Sequence, residues 1–138
     1  MAMPAAILAQ WVTPHRALLI KYFSREFAGT SKAAAEQLTD IAITAGYIGQ
    51  RLPVPGENLK QWVLQGNAPF WACRSAFDYL VNHGWIPHDD VERALYARFA
   101  LANTVFVSAE TQALLGQFWP LACAAQKESI DDDEYPEL

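Results

Sequence analysis

Three observations predict an all-α fold, a compact single-domain bundle of six or seven short helices. Apolar residues recur at helical spacing along almost the whole chain. Only Thr104–Val107 reads as strand-like, and one short strand makes no sheet. A chain of 138 residues, 52% hydrophobic and 12% aromatic, can bury one core of ordinary depth, which excludes a wholly disordered polymer.

Pro4–Val12 makes a short apolar helix. Thr13-Pro14 then reads as the start of the next, with threonine as N-cap and proline at the first helical position. That helix places Leu18, Leu19, Tyr22, Phe23 and Phe27 on one stripe and ends at Gly29. Thr30-Ser31 caps a third helix from Lys32, with Ala35, Leu38, Ile41, Ala42 and Ala45 at helical spacing. The Pro53–Gly56 stretch, PVPG, cannot continue a helix. A helix over Glu57–Gln65 follows and stops at Gly66-Asn67. Pro69 opens another to Asn82, with Trp71, Ala72, Phe77, Leu80 and Val81 inward. Asp89 or Asp90 caps a helix through Val91, Leu95, Phe99 and Ala102. Ser108 caps the last, Glu110–Gln126, which Pro120 must kink or interrupt. No internal repeat is present.

The net charge of −5 is unevenly placed. Residues 127–138 set six acids against Lys127, whereas residues 1–126 hold nine bases and nine acids. The expected organisation is therefore a helical domain over 1–128 and an acidic, disordered tail over 129–138. Within residues 16–32, Arg16, Lys21, Arg25 and Lys32 face Glu26 alone, a local basic cluster. Cys73 and Cys123 form no CxxC pair, and each lies in an apolar stretch where a buried thiol is the ordinary reading. The N-terminal stretch has no basic region before its apolar run, and no run approaches the length needed to span a bilayer, so a cytoplasmic protein with reduced thiols and no membrane contact is expected.

Enzyme chemistry finds no support. A GxSxG elbow, a glycine-rich phosphate loop and an HExxH helix are all missing from the sequence, and Asp78 and Glu92 stand apart from any nucleophile. His83 and His88 do not have the spacing of a zinc motif, and no cysteine is near them. No catalytic residue, metal site or cofactor is expected.

The informative window is Ala45–Trp62. Here Ile48 and Leu52 suit the core positions of a first helix, Gly49 the small residue at a helix crossing, Val54 a turn plug, and Leu59 and Trp62 the anchors of a second helix. Together with Pro69, seven residues beyond Trp62, this arrangement resembles the helix-turn-helix of lambda-repressor-like, Xre-type regulators over roughly residues 32–82. It departs from them in having Pro53 where they carry a turn glycine, and Pro55-Gly56 at the head of the recognition helix.

The resemblance implies a small sequence-specific DNA-binding regulator of bacterial, phage or plasmid type. Asn58, Lys60 and Gln61 would then face the major groove of double-stranded DNA, while Lys21, Arg25, Lys32 and Arg51 would contact phosphates. The other reading is a helical protein-binding module (an antirepressor, an inhibitor or a subunit of a nucleic-acid-binding complex) without DNA contact of its own. A neutral body, few charges, five tryptophans and the acidic tail support that reading, and a final helix that is apolar on more than one face suggests a homodimer. A further partner protein would be bound through exposed aromatics or the acidic tail. The two readings differ at Thr44–Gly46. A helix-turn-helix needs a break there, with Tyr47–Leu52 helical and steeply angled. A plain packing hairpin needs an unbroken helix from Lys32 to Leu52.

Overall fold

A computed structural model describes residues 3–133, and over 129–133 the backbone alone. The fold is all-α. Eight helices follow in order: α1 (Pro4–Val12), α2 (Leu18–Phe27), α3 (Ser31–Ala45), α4 (Gly56–Gln65), α5 (Phe70–Asn82), α6 (Asp90–Ala102), α7 (Ala109–Leu115) and α8 (Phe118–Asp133). No strand occurs among the described residues, and Thr104–Val107 is turn and irregular chain with Thr104 at φ 54°. The acidic tail expected from Ser129 overlaps the last residues of α8, and residues 134–138 lie outside the described residues.

The helices gather into two compact units. A terminal unit combines Met1–Thr13 with Pro87–Leu138, and a central unit spans Pro14–Ile86. Charge divides along the same line. The central stretch carries seven Lys or Arg against five Asp or Glu, and the two terminal stretches together carry three against ten.

In the terminal unit, α8 packs on both α1 and α6, burying Phe118, Ala122 and Ala125 with Leu8, Val12, Leu95 and Phe99. These contacts cover part of the apolar surface read in the last helix, and Leu114 of α7 stays 41% exposed. Trp11 meets Phe118 edge to face, with ring centroids 5.2 Å apart. The caps are local and legible. Asp89 accepts from the Glu92 N–H at 2.8 Å, and Ser108 from the Thr111 N–H at 3.2 Å. Gly116, at φ 58°, separates α7 from α8. Pro120 therefore sits in the first turn of α8, where a missing N–H costs no helical bond.

In the central unit, α5 lies against α2 and α3, and α4 against α3 and α2. Leu19, Ile20 and Phe23 of α2, Leu38 and Ala42 of α3, Leu59 of α4, and Ala72, Cys73, Ala76 and Phe77 of α5 form the core. Phe23 and Tyr79 pack edge to face at 4.9 Å. Thr13-Pro14 does not start α2. Thr13 is the C-cap of α1, residues 13–17 form a turn, and α2 begins at Leu18 without a side-chain cap. The helix closes on Ala28 in the left-handed region, one residue before the expected Gly29. Thr30 then caps α3, its hydroxyl accepting from the Ala33 N–H at 3.1 Å.

Candidate functional site: a basic groove in the central unit

The α3–α4 connection differs from both sequence readings. Gly46, at φ 82°, ends α3 at Ala45, and the Tyr47 N–H donates back to the Ala42 carbonyl at 2.8 Å. Residues 47–55 are then irregular up to α4. The helix expected over Tyr47–Leu52 does not form, nor does a continuous one from Lys32 to Leu52. Leu52, expected in a core, is 84% exposed. The physical reason is tight local closure: once a left-handed glycine has turned the chain and the last carbonyls of α3 are satisfied, no helical register carries on through Gly49 and Pro53.

Distant residues hold this loop. The Tyr47 hydroxyl donates to the Asp78 carboxylate, and Arg74 covers the Tyr47 ring with its guanidinium carbon 3.9 Å from the centroid. Burial, and next the hydrogen bond to Asp78, pushes the Tyr47 phenol well above its ordinary pKa of 10.0. Val54 is buried as a plug, and its N–H reaches the buried Thr39 hydroxyl at 3.4 Å.

Gly49 does not serve as the crossing residue, because a Cβ built there would touch nothing within 4 Å. Gly56 does. A Cβ there would fall 2.6 Å from the Ser31 carbonyl carbon and 2.7 Å from the Lys32 nitrogen. The N-termini of α3 and α4 therefore meet backbone to backbone, which only glycine permits.

That meeting lies beside a groove of about 540 Å³. Lys21, Ser24 and Arg25 of α2 form one wall, and Leu59, Lys60, Val63 and Leu64 of α4 the other. Gly29, Thr30, Ser31 and Ala34 complete the lining. No acidic side chain among the described residues lines it. Lys21, Arg25 and Lys60 are exposed and make no ion pair or hydrogen bond among the described residues. Leu64 is 79% exposed on a helix face that is otherwise polar.

Of the residues singled out from sequence, Lys21, Arg25 and Lys60 line this groove together. Lys32 follows Ser31 of the lining and is exposed. Asn58 and Gln61 lie on α4 outside the lining, Asn58 half-buried and Gln61 exposed. Arg51 belongs to a second groove, of about 500 Å³, with Glu36 and Asp40. It also lies over the Trp71 ring at 5.8 Å, and Trp71 in turn meets Trp62 edge to face at 6.0 Å. Sequence reasoning passed over Ser24, Val63 and Leu64. The available signal was Leu64, one helical turn beyond Lys60 and on the same face.

The histidines have ordinary surroundings. His83 stacks on Tyr79 at 3.9 Å and its Nδ1 donates to the Tyr79 carbonyl, while His88 lies 3.6 Å from Glu92. No three metal-ligating side chains group together among the described residues, and no helix there is long and apolar enough to cross a membrane. No family model, no curated protein and no solved structure matches the chain.

Proposed function

We propose that the chain is a helical protein-binding module whose central unit takes an acidic segment of a partner protein. The observation that carries this reading is the groove lining. Three cations without a partner among the described residues stand beside the apolar Ala34, Leu59, Val63 and Leu64, and no carboxylate of those described residues lines the groove. Such a surface complements a ligand that is both anionic and apolar, and phosphate and sugar supply only the first property. The exposed Leu64 supports the same reading, because a partner removes it from water.

Binding of DNA through α4 is a second reading. It is supported by Lys21, Arg25, Lys32, Arg51, Lys60 and Gln61 all being exposed in the central unit. Against it, Glu57 and Leu64 also lie exposed on α4, on the face that would enter the major groove.

Retention on two columns separates the readings. At low ionic strength, an immobilised glutamate–leucine copolymer should hold the protein, and the Lys21→Glu, Lys60→Glu variant should elute early. An immobilised DNA duplex should hold neither. Salt-sensitive retention on the duplex that disappears in the Lys60→Ala, Gln61→Ala variant would establish the DNA reading instead. Retention on neither column would overturn both.

A further inference from the structure

Resting on that reading of the groove, we infer that its occupant is an amphipathic α-helix. Such a helix sets an apolar stripe on Leu59, Val63 and Leu64 and flanks it with carboxylates that meet Lys21, Arg25 and Lys60.

The walls favour a helical occupant. One recurring way to hold an extended segment is addition to a sheet edge, where unpaired backbone groups offer a ladder. Here both walls are helices, whose interior N–H and C=O groups are consumed by their own i to i−4 bonds. No strand exists among the described residues to offer an edge. A segment entering the groove gains no backbone ladder from these walls, and a helix arrives with its own backbone bonds already made.

The spacing of the wall residues fits the same occupant. Lys21, Ser24 and Arg25 stand at i, i+3 and i+4 on α2, and Lys60, Val63 and Leu64 repeat that spacing on α4. Each wall thus presents one helical stripe of about a turn and a half, mixed on α4 and cationic on α2. Ridges of a third helix fit between two such stripes, with anchors at i, i+3 or i+4, and i+7. Cations on both walls call for acids on both flanks of the occupant's apolar stripe.

The experiment is selection from a displayed library of random peptides of about twenty residues, long enough for several helical turns, against the intact protein. The enriched sequences should carry apolar residues at i, i+3 or i+4, and i+7, with Asp or Glu on both flanks. A synthetic copy of the strongest should gain helicity on binding. Its affinity should fall at least about tenfold for the Lys21→Glu, Arg25→Glu variant and for Leu64→Asp. These residues are exposed, so the melting temperature of each variant should stay close to that of the parent. Enriched acidic peptides that lack helical period, yet still depend on Lys21 and Arg25, would overturn the helical occupant and leave the groove's preference for an acidic segment standing. Enrichment without acidic bias, or binding indifferent to the Lys21→Glu, Arg25→Glu change, would overturn both.

Discussion

Gly56 rests on Ser31: a Cβ at Gly56 would fall 2.6 Å from the Ser31 carbonyl carbon and 2.9 Å from the Ser31 Cβ. Because the nearest atoms are backbone, neither partner can yield by a side-chain rotation. The contact fixes where α4 starts against α3, and Ser31 is itself part of the groove lining. Groove shape and helix packing share this one point.

Substituting Gly56 therefore tests the link from packing to site. Gly56→Ala should destabilise the protein by about 1–3 kcal/mol, the ordinary cost of overpacking, and weaken retention on the glutamate–leucine copolymer. Gly49→Ala, in open space, should stay within about 0.5 kcal/mol of the parent. Denaturant unfolding of the two variants side by side makes the comparison.

The loop over residues 46–55 is held by a long-range bond as well as by the local turn at Gly46. Tyr47→Phe removes the donor to Asp78 and should cost about 1–2 kcal/mol. Amide exchange at Tyr47 and Ile48, whose N–H groups donate to Ala42, should quicken more than exchange in α5.

Cys73 predicts the alkaline limit of stability. Its thiol is wholly buried and burial pushes it up from 9.0 to about 12. Above pH 9 the unfolded chain releases this proton while the folded chain retains it. Stability is thus complete below 9 and falls as pH rises towards 12, by on the order of 4 kcal/mol in total. Tyr47 and Tyr96, both raised by burial, act with the same sign. In Cys73→Ala, the melting temperature should decline less steeply over this window.

Glu128 closes the terminal unit. One of its oxygens accepts from the Ala5 N–H at 2.7 Å, at the start of a helix whose N-cap, Met3, offers no side-chain acceptor. Glu128→Ala should cost about 1 kcal/mol, since a carboxylate at a helix N-terminus is favoured by both the hydrogen bond and the dipole. Glu128→Gln should retain most of the stability, because its amide oxygen still accepts. Thermal scans of both variants read this out.

Local chemistry was legible in the sequence, and distant chemistry was not. Thr30, Asp89 and Ser108 announce helix starts because the cap and the amide it receives lie three residues apart. Thr13-Pro14 carries the same signal and starts nothing, because Thr13 is spent closing α1. Gly49 and Gly56 cannot be told apart by sequence: what matters is the backbone of Ser31, twenty-five residues before Gly56. Tyr47 enters the sequence reading only as the start of a helix to Leu52, whereas its partner, Asp78, stands on α5. The division of the helices into two units follows from chain segments that meet across the whole sequence, which periodicity does not report. The basic cluster was visible as charge, since Lys21 and Arg25 are close in sequence. That Lys60 and Leu64 complete one groove with them required the fold.

The central claim is that an acidic segment occupies this groove, and backbone amide shifts of the labelled protein test it most directly. Titration with a glutamate–leucine copolymer should move the resonances of Lys21, Ser24, Arg25, Thr30, Lys60 and Leu64 together along one saturating curve. Those of Glu36, Asp40 and Arg51, in the second groove, should stay in place. Shifts centred on the second groove, or none at all at saturating copolymer, would contradict the account.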